Sequence, residues 1–258
     1  MKQEIQRVIK LPSEGYGVFV GDTHGDLEAT KWVIENYSKP NYLIIFLGDY
    51  VDLGPDSKEN IKYILNAKER NKNIITLLGN HELFEYTLNL SPARFWWSLN
   101  EIEKKEYFAI FRKFPLVVYS KDIIALHGAL PKIDKLKDIE NLDLDISTKL
   151  DSNKSQNEVT RQIVWGDFLD RDIFYSPSRD INYGRPGFGK KHFDNMMKKF
   201  EKNVLIRGHD PTAPQSMYDN QCLTLFTSKA YDTPRRIAIV DLSKEIRTIN
   251  DLEILQLE

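Results

Sequence analysis

Residues 18–26, VFVGDTHGD, run from a short apolar stretch through a glycine to a carboxylate, with an imidazole two residues later. The pattern recurs twice soon afterwards. Tyr42–Leu47 leads into Gly48-Asp49-Tyr50-Val51-Asp52, and Ile74–Leu78 leads into Gly79-Asn80-His81-Glu82. Apolar runs this short and continuous, rich in β-branched and aromatic residues, predict buried strands. The stretches between them carry helical spacing. Leu27–Tyr37 sets Leu27, Val33 and Ile34 near one face, and Ser57–Arg70 groups Ile61, Ile64 and Leu65, with Ser57 as the N-cap. Strand, loop, helix, strand, repeated, predicts an α/β fold with parallel strands in its first half. In such sheets functional groups gather at the carboxyl ends of strands, which is where these polar residues fall.

Working outward, Ile123–Leu126 precedes His127-Gly128, and Val204–Ile206 precedes Arg207-Gly208-His209. Near the C-terminal end Leu223–Ser228 and Arg236–Leu242 read as strands with no helix between them, so they are expected to form an antiparallel pair. Residues 132–162 are polar, with a Ser/Asn run at Ser152–Asn157, and are expected to form a surface excursion from a single domain spanning residues 1–258.

The balance of 36 basic and 38 acidic residues, with no block of like charge, points away from a nucleic-acid partner. No apolar run approaches the length of a membrane span, and the opening MKQEIQRVIK lacks a signal-peptide core, so no membrane association is expected. A single cysteine, Cys222, excludes an internal disulfide and suits a reducing compartment. The expectation is a cytoplasmic monomer.

Four of the five histidines, His24, His81, His127 and His209, stand at or just past the ends of predicted strands, most of them beside a glycine. His192, in a helical stretch among lysines, is expected to be exposed. A lone histidine at a strand end is usually a structural hydrogen-bonding residue, and a lone Gly-Asp is usually a turn. The repetition of these features at successive strand ends argues for a metal site instead. Mixed Asp, Asn and His donors suit borderline divalent ions such as Mn, Fe, Co or Zn. The neighbouring glycines would let the backbone turn sharply enough for the ligands to converge.

Taken in order, GDTHGD, GDYVDLG, GNHE, HGA and RGH resemble the motifs of the phosphoprotein phosphatase family of Ser/Thr phosphatases, within the calcineurin-like metallophosphoesterases. Phe114-Pro115, Trp165-Gly166-Asp167 and the approach to Tyr231 agree with it. The resemblance implies a four-layer α-β-β-α sandwich with two mixed β-sheets. It implies two divalent metal ions, the first held by Asp22, His24 and Asp49, the second by Asp49, Asn80, His127 and His209. In such a site the ions lie about 3.5–4 Å apart and activate a shared water, giving a hydroxide that attacks phosphorus directly. By the same resemblance His81 is the general acid, Asp52 orients it, and Arg185 and Tyr231 contact the phosphate. The implied substrate is a phosphoserine or phosphothreonine in a protein or peptide. Arg207 matches a supporting position.

Three departures stand out. Leu53 and Leu78 each occupy a position where the family has arginine, and Ala129 replaces a glycine. Loss of one cationic phosphate contact would cost about 1.5–3 kcal/mol, so a weakened or re-specified enzyme is expected. A small-molecule phosphoesterase such as a dinucleoside tetraphosphate hydrolase has overlapping motifs. A non-catalytic scaffold would have lost ligands, and this chain retains them. The near-P-loop at Gly184–Lys191 lacks the hydroxyl residue needed at its end. Cys222 reads as a small buried residue, and Phe95-Trp96-Trp97 as helix packing.

Overall fold

The computed structural model describes residues 5–83, 93–142, 144, 154–171, 175–176 and 185–258. The chain opens with β1 (Val8–Lys10), β2 (Tyr16–Val20), α1 (Leu27–Tyr37), β3 (Tyr42–Phe46), α2 (Ser57–Arg70) and β4 (Ile74–Thr76). It continues through α3 (Arg94–Trp97), α4 (Glu101–Phe111), β5 (Val117–Tyr119), β6 (Ile123–Leu126), α5 (Lys154–Trp165), β7 (Asp167–Phe168), β8 (Tyr175–Ser176) and β9 (Gly187–Phe188). The remaining elements are α6 (Lys190–Phe200), β10 (Val204–Arg207), β11 (Ser216–Met217), β12 (Cys222–Thr224), β13 (Arg236–Asp241) and β14 (Glu253–Gln256).

Two sheets carry the fold, one ordered β14-β13-β2-β3-β4 and the other β1-β5-β6-β10-β12-β11. Both are mixed. β2, β3 and β4 are parallel, in registers such as Val18 opposite Ile44 and Ile44 opposite Ile74, while β13 runs antiparallel to β2. In the second sheet β6, β10 and β12 are parallel and β5 opposes β6.

Alternation along the strands explains the layers. Phe19 and Ile45 face inward against Ile123, Ala125, Val204 and Ile206 of the opposite sheet, forming a core between the sheets. Val18, Val20, Ile44 and Phe46 face outward and pack under Ala29, Val33, Ile61 and Ile64 of α1 and α2. On the far side Phe193, Met196 and Phe200 of α6 join the same outer packing with Ile124, Leu126 and Leu205. Both faces of each sheet are thereby covered, which gives the expected α-β-β-α sandwich.

Several local expectations change. Leu223–Ser228 and Arg236–Leu242 form no ladder: β12 lies in one sheet, parallel to β10, and β13 in the other, with Arg236 N donating to Phe226 O (2.7 Å) where the chain crosses. The segment between them crosses from sheet to sheet beside a parallel bridge from Asp22 to Phe226. Ser57 is the first residue of α2 rather than its cap; Asp56 holds the N-cap position without a side-chain bond. The loop before α2 is fixed by tertiary bonds instead, Gly54 N to His24 O and Asp56 N to Gly25 O. His192 is 2% exposed, accepted into the core because it shares the i, i+4 face of Met196 and Phe200. Its ring stacks on Phe188 at 4.2 Å and its Nε2 lies 2.8 Å from the Leu130 carbonyl.

The described part of residues 132–162 is less superficial than its composition suggests. Ile139, Leu142 and Leu144 are buried, and Arg7 ties the segment down. Residues 143 and 145–153 of that stretch, which include the start of the Ser/Asn run, lie outside the described residues. Buried Arg7 donates through Nη1 to the carbonyls of Arg112 (2.6 Å) and Phe114 (3.1 Å), and through Nε to that of Leu142 (3.3 Å). Truncation would leave these carbonyls without their donor in a dry environment. Arg7→Ala is therefore expected to lower unfolding stability by about 2–3 kcal/mol, read as a lower urea midpoint at unchanged slope.

Candidate metal centre

The parallel strands deliver their polar residues to one end of the sandwich. β2 ends before Asp22 and His24, β3 before Asp49 and Asp52, and β4 before Asn80 and His81. From the second sheet, β6 ends at His127 and β10 before His209. Backbone bonds weld these loops together: Thr23 N and His24 N both donate to Asp49 O (3.1 and 2.9 Å), and Gly208 N donates to His127 O (3.0 Å).

Sharp turning comes partly from the ligand-type residues themselves rather than from glycine alone. His24 (φ 41°), Asp49 (φ 53°) and His209 (φ 74°) all have left-handed backbones. Such conformations cost roughly 1–2 kcal/mol per non-glycine residue and persist only where surrounding contacts over-determine them. Glycine is required where two loops touch: a Cβ on Gly79 would sit 2.2 Å from Asp49 Oδ1.

The buried carboxylate of Asp49 lies at the centre. Its Oδ2 is 3.3 Å from His127 Nε2, 3.7 Å from His24 Nε2 and 3.9 Å from His81 Nε2. Two groups of donor atoms close enough to hold an ion share it, one formed with His24 and His81 and the other with His127 and His209. Asp22 flanks both, its Oδ2 3.9 Å from His24 Nε2 and its Oδ1 3.8 Å from His127 Nδ1.

Tautomers follow from the partners. A carbonyl only accepts, so His24 must donate from Nδ1 to Val51 O (2.9 Å), and His127 from Nδ1 to Leu47 O (3.0 Å). When the rings are neutral, both Nε2 lone pairs then point into the site. His209 turns the other way, with Nε2 at 3.5 Å from Asp167 Oδ1 and Nδ1 toward Asn80. Asn80 Oδ1 lies 2.9 Å from His127 Nε2, and the same atom position is 2.9 Å from His209 Nδ1 and 3.2 Å from Asp49 Oδ2. Rotating the amide would satisfy these atoms in the metal-free protein. With the oxygen inward they form an acceptor-only set of the kind a divalent cation satisfies, and this donor set fits one.

Charges agree. Burial pushes Asp22 up to about 7, against the pull of His127. Burial pushes His24 down to about 4, helped by the neighbouring His81. His209 is also held well below the histidine range, by burial and then by Arg185. Burial opposes charge on His127 too, but Asp49 and Asp22 outweigh it and hold the ring up at about 9.

His81 differs. Its Nδ1 is 2.9 Å from Asp52 Oδ2, and its backbone N–H donates to Asp49 Oδ1 at 2.9 Å. Burial works against its charge, yet Asp49 and Asp52 raise it above the usual histidine range. Helix α3 clamps the pair: Phe95 N donates to Asp52 Oδ1 (2.8 Å) and Trp96 Nε1 to the His81 carbonyl (2.8 Å). Phe95 and Trp96 thus do more than pack, while Trp97 is 61% exposed.

Arg185 and Tyr231 stand at the margin. The Arg185 guanidinium lies over Trp165 at 5.2 Å, with Nη1 3.6 Å from Asp167 Oδ2. The preceding Tyr183 and Gly184 lie outside the described residues. The Tyr231 ring is 6.1 Å from that of His24 and 5.2 Å from Phe226. Arg207 is fully buried, 3.7 Å from Asp167 Oδ1, and so faces no solvent-borne ligand.

Two residues had no assigned role in the sequence. Glu82 accepts the backbone N–H groups of Asp49 (2.9 Å), Tyr50 (2.8 Å) and Gly79 (3.0 Å). Asp167 joins Arg185, Arg207 and His209. The local signal was an acid directly after Asn80-His81 and another after Trp165-Gly166, but their targets are distant in sequence.

An α/β sandwich with ligand-type clusters sharing a carboxylate at its strand ends defines a metallophosphoesterase. The chain belongs to the calcineurin-like phosphoesterase family, whose profile matches residues 18–213, and members of that family use divalent metals. It is 25% identical over 245 residues to a protein of Encephalitozoon cuniculi named "Probable serine/threonine-protein phosphatase", covering 88% of this chain and 50% of that one. It spans about half the length of the curated relatives it matches. Its fold superposes on a serine/threonine phosphatase from Saccharomyces cerevisiae with similarity to human phosphatase PP5, with a TM-score of 0.80 at 18% identity, covering 100% of this chain and 84% of that one. A cold-active protein-tyrosine phosphatase from a Shewanella species superposes with a TM-score of 0.65 at 15% identity, again covering 100% and 84%. Among the described residues, no helix is long and apolar enough to cross a membrane.

A bound cation would have to displace the protons that burial keeps on Asp22 up to about 7 and that Asp49 and Asp22, against burial, keep on His127 up to about 9. Both are protonated below those values, so metal affinity should rise with pH through this window and level off above it. Calorimetric titration with Mn²⁺ in buffers of different ionisation enthalpy should show more protons released at pH 6 than at pH 8.

Proposed function

We propose that this chain hydrolyses phosphoserine and phosphothreonine esters in proteins, using two divalent cations. One would be held by Asp22, His24 and Asp49, the other by Asp49, Asn80, His127 and His209. The observation that supports this most is Asp49 shared by two ligand sets, with the His81–Asp52 pair beside it. Three curated relatives matched over 82–88% of this chain are named serine/threonine-protein phosphatases, which favours a phosphoprotein, although one matched over 37% is named an endopolyphosphatase. No ligand position is substituted, which argues against a non-catalytic scaffold.

The cations would supply Lewis acidity, activating water and offsetting phosphate charge. The protein supplies the rest. Asp52 keeps a proton on His81 Nδ1 and favours the imidazolium, leaving Nε2–H free to protonate a departing alkoxide. The α3 clamp holds that ring against rotation. Arg185 and Tyr231 would contact phosphate oxygens, and buried Arg207 would act through its Asp167 and Gly208 contacts.

With Mn²⁺ present, phosphate should be released from a phosphoserine peptide faster than from diadenosine tetraphosphate; the reverse order would replace the substrate assignment. Proximity alone also allows His81 to be a ligand, so its role has its own test. His81→Ala should retain both metals by elemental analysis while slowing phosphopeptide turnover by roughly 10²–10⁴-fold. The loss should be smaller for p-nitrophenyl phosphate, whose leaving group hardly needs a proton. Equal losses on the two substrates would remove His81 from the acid role.

A further inference from the structure

A cavity of about 390 Å³ opens directly beside His24. Its apolar lining comes from Leu27, Leu53, Pro55 and Ala230, and its polar lining includes Asp26, Glu28, Asp56 and Lys229. This volume lies at the low end of the range for ligand pockets and has room for a large side chain.

Its placement ties it to the reaction. Leu53 directly follows Asp52, the partner of His81, and the His24 and His81 rings meet edge to face at 4.8 Å. The cavity therefore adjoins the cluster through His24, one ring contact away from His81. The wall is also rigid. Gly54 N donates to His24 O at 3.0 Å, and a Cβ on Gly54 would lie 2.0 Å from that oxygen. Leu53 itself holds a left-handed backbone (φ 63°), a strained choice for leucine that keeps its side chain in the wall.

Charge within the cavity is largely spent. Lys229 pairs with Glu28, and Arg235 Nη1 lies 3.5 Å from both Asp26 Oδ2 and Glu28 Oε2. Asp56 at the mouth makes no side-chain capping bond. Among the described residues, a second phosphate or an acidic side chain would find Lys229 and Arg235 already paired and would meet the carboxylates of Asp26, Glu28 and Asp56. An aliphatic group would find Leu27, Leu53, Pro55 and Ala230.

We propose that this cavity is a specificity subsite that takes the aliphatic side chain of a residue next to the phosphorylated one, with Leu53 as its determinant. The inference rests on the phosphoprotein reading above.

The test is a set of phosphoserine peptides carrying Leu, Ala, Lys or Asp at one flanking position, then at the other, assayed with Mn²⁺. At one position kcat/KM should be highest for Leu, lower for Ala and lowest for Asp, the extremes differing by about tenfold or more. Leu53→Asp, which places a charge in the wall, and Ala230→Trp, which fills the cavity from the opposite side, should each bring the Leu-to-Asp ratio within about twofold. The ratio is read inside each variant, so a general loss of activity does not affect it, and either variant suffices if the other does not fold. Equal rates for all peptides, an order led by Lys, or a ratio surviving in the folded variants would overturn the subsite and leave the phosphatase reading standing. Hydrolysis of p-nitrophenyl phosphate with no phosphopeptide cleaved would overturn both.

Discussion

A carboxylate, Asp49, is buried almost completely at the meeting point of two sheets, and burying a charge is costly unless it is compensated. Compensation here comes from three imidazoles, His24, His81 and His127, and from the His81 backbone N–H. Burial still works against ionisation of Asp49, but these neighbours hold its carboxyl well below the usual range. The three imidazoles arrive on three different loops. The geometry of the site is therefore the solution to one electrostatic problem, with contributions from β3, β4 and β6 and from the loop after β2.

Glu82 makes that solution rigid. A second buried carboxylate beside Asp49 is unfavourable, and burial together with Asp49 pushes Glu82 up to about 8. Its return is three backbone N–H groups on the Asp49 and Gly79 loops that would otherwise have no acceptor. Tyr50 and Asn60 extend the brace: the Tyr50 hydroxyl donates to Leu77 O (2.6 Å), and Asn60 Nδ2 donates to Tyr50 O (2.9 Å) and Thr23 Oγ1 (3.0 Å). Left-handed backbones at His24, Asp49 and His209 are tolerated because these bonds fix the loops from several directions at once.

A similar division of labour runs through the outer parts of the site. His24 and His127 are oriented by backbone carbonyls, whereas His81 is oriented by Asp52 and His209 faces Asp167. Either kind of partner fixes a ring's orientation, and at His81 the Asp52 carboxylate, with Asp49, also favours the charged form. Asp167 also gathers Arg185 and Arg207, so the rim arginine and the last histidine are positioned by one acid.

The sequence by itself determined the strands that carry chemistry and the residues that cap them. Buried β-strands write continuous apolar runs, and the polar residues ending those runs are conspicuous, so Asp22, His24, Asp49, Asn80, His81, His127 and His209 were all legible. Local periodicity likewise set the limits of α1 and α2. Pairing was not legible: β12 and β13 look like neighbours because they are close in sequence, but sheet membership depends on which partner covers each face. His192 read as solvated because its lysine neighbours dominate the composition, although its i+4 relation to Met196 placed it inward. The roles of Glu82, Asp167, Phe95 and Trp96 rest on hydrogen bonds and ion pairs to loops that local pattern does not connect to them. Only the tertiary structure decided these, because a buried donor or acceptor is satisfied by whatever the fold brings within about 3 Å, irrespective of sequence distance.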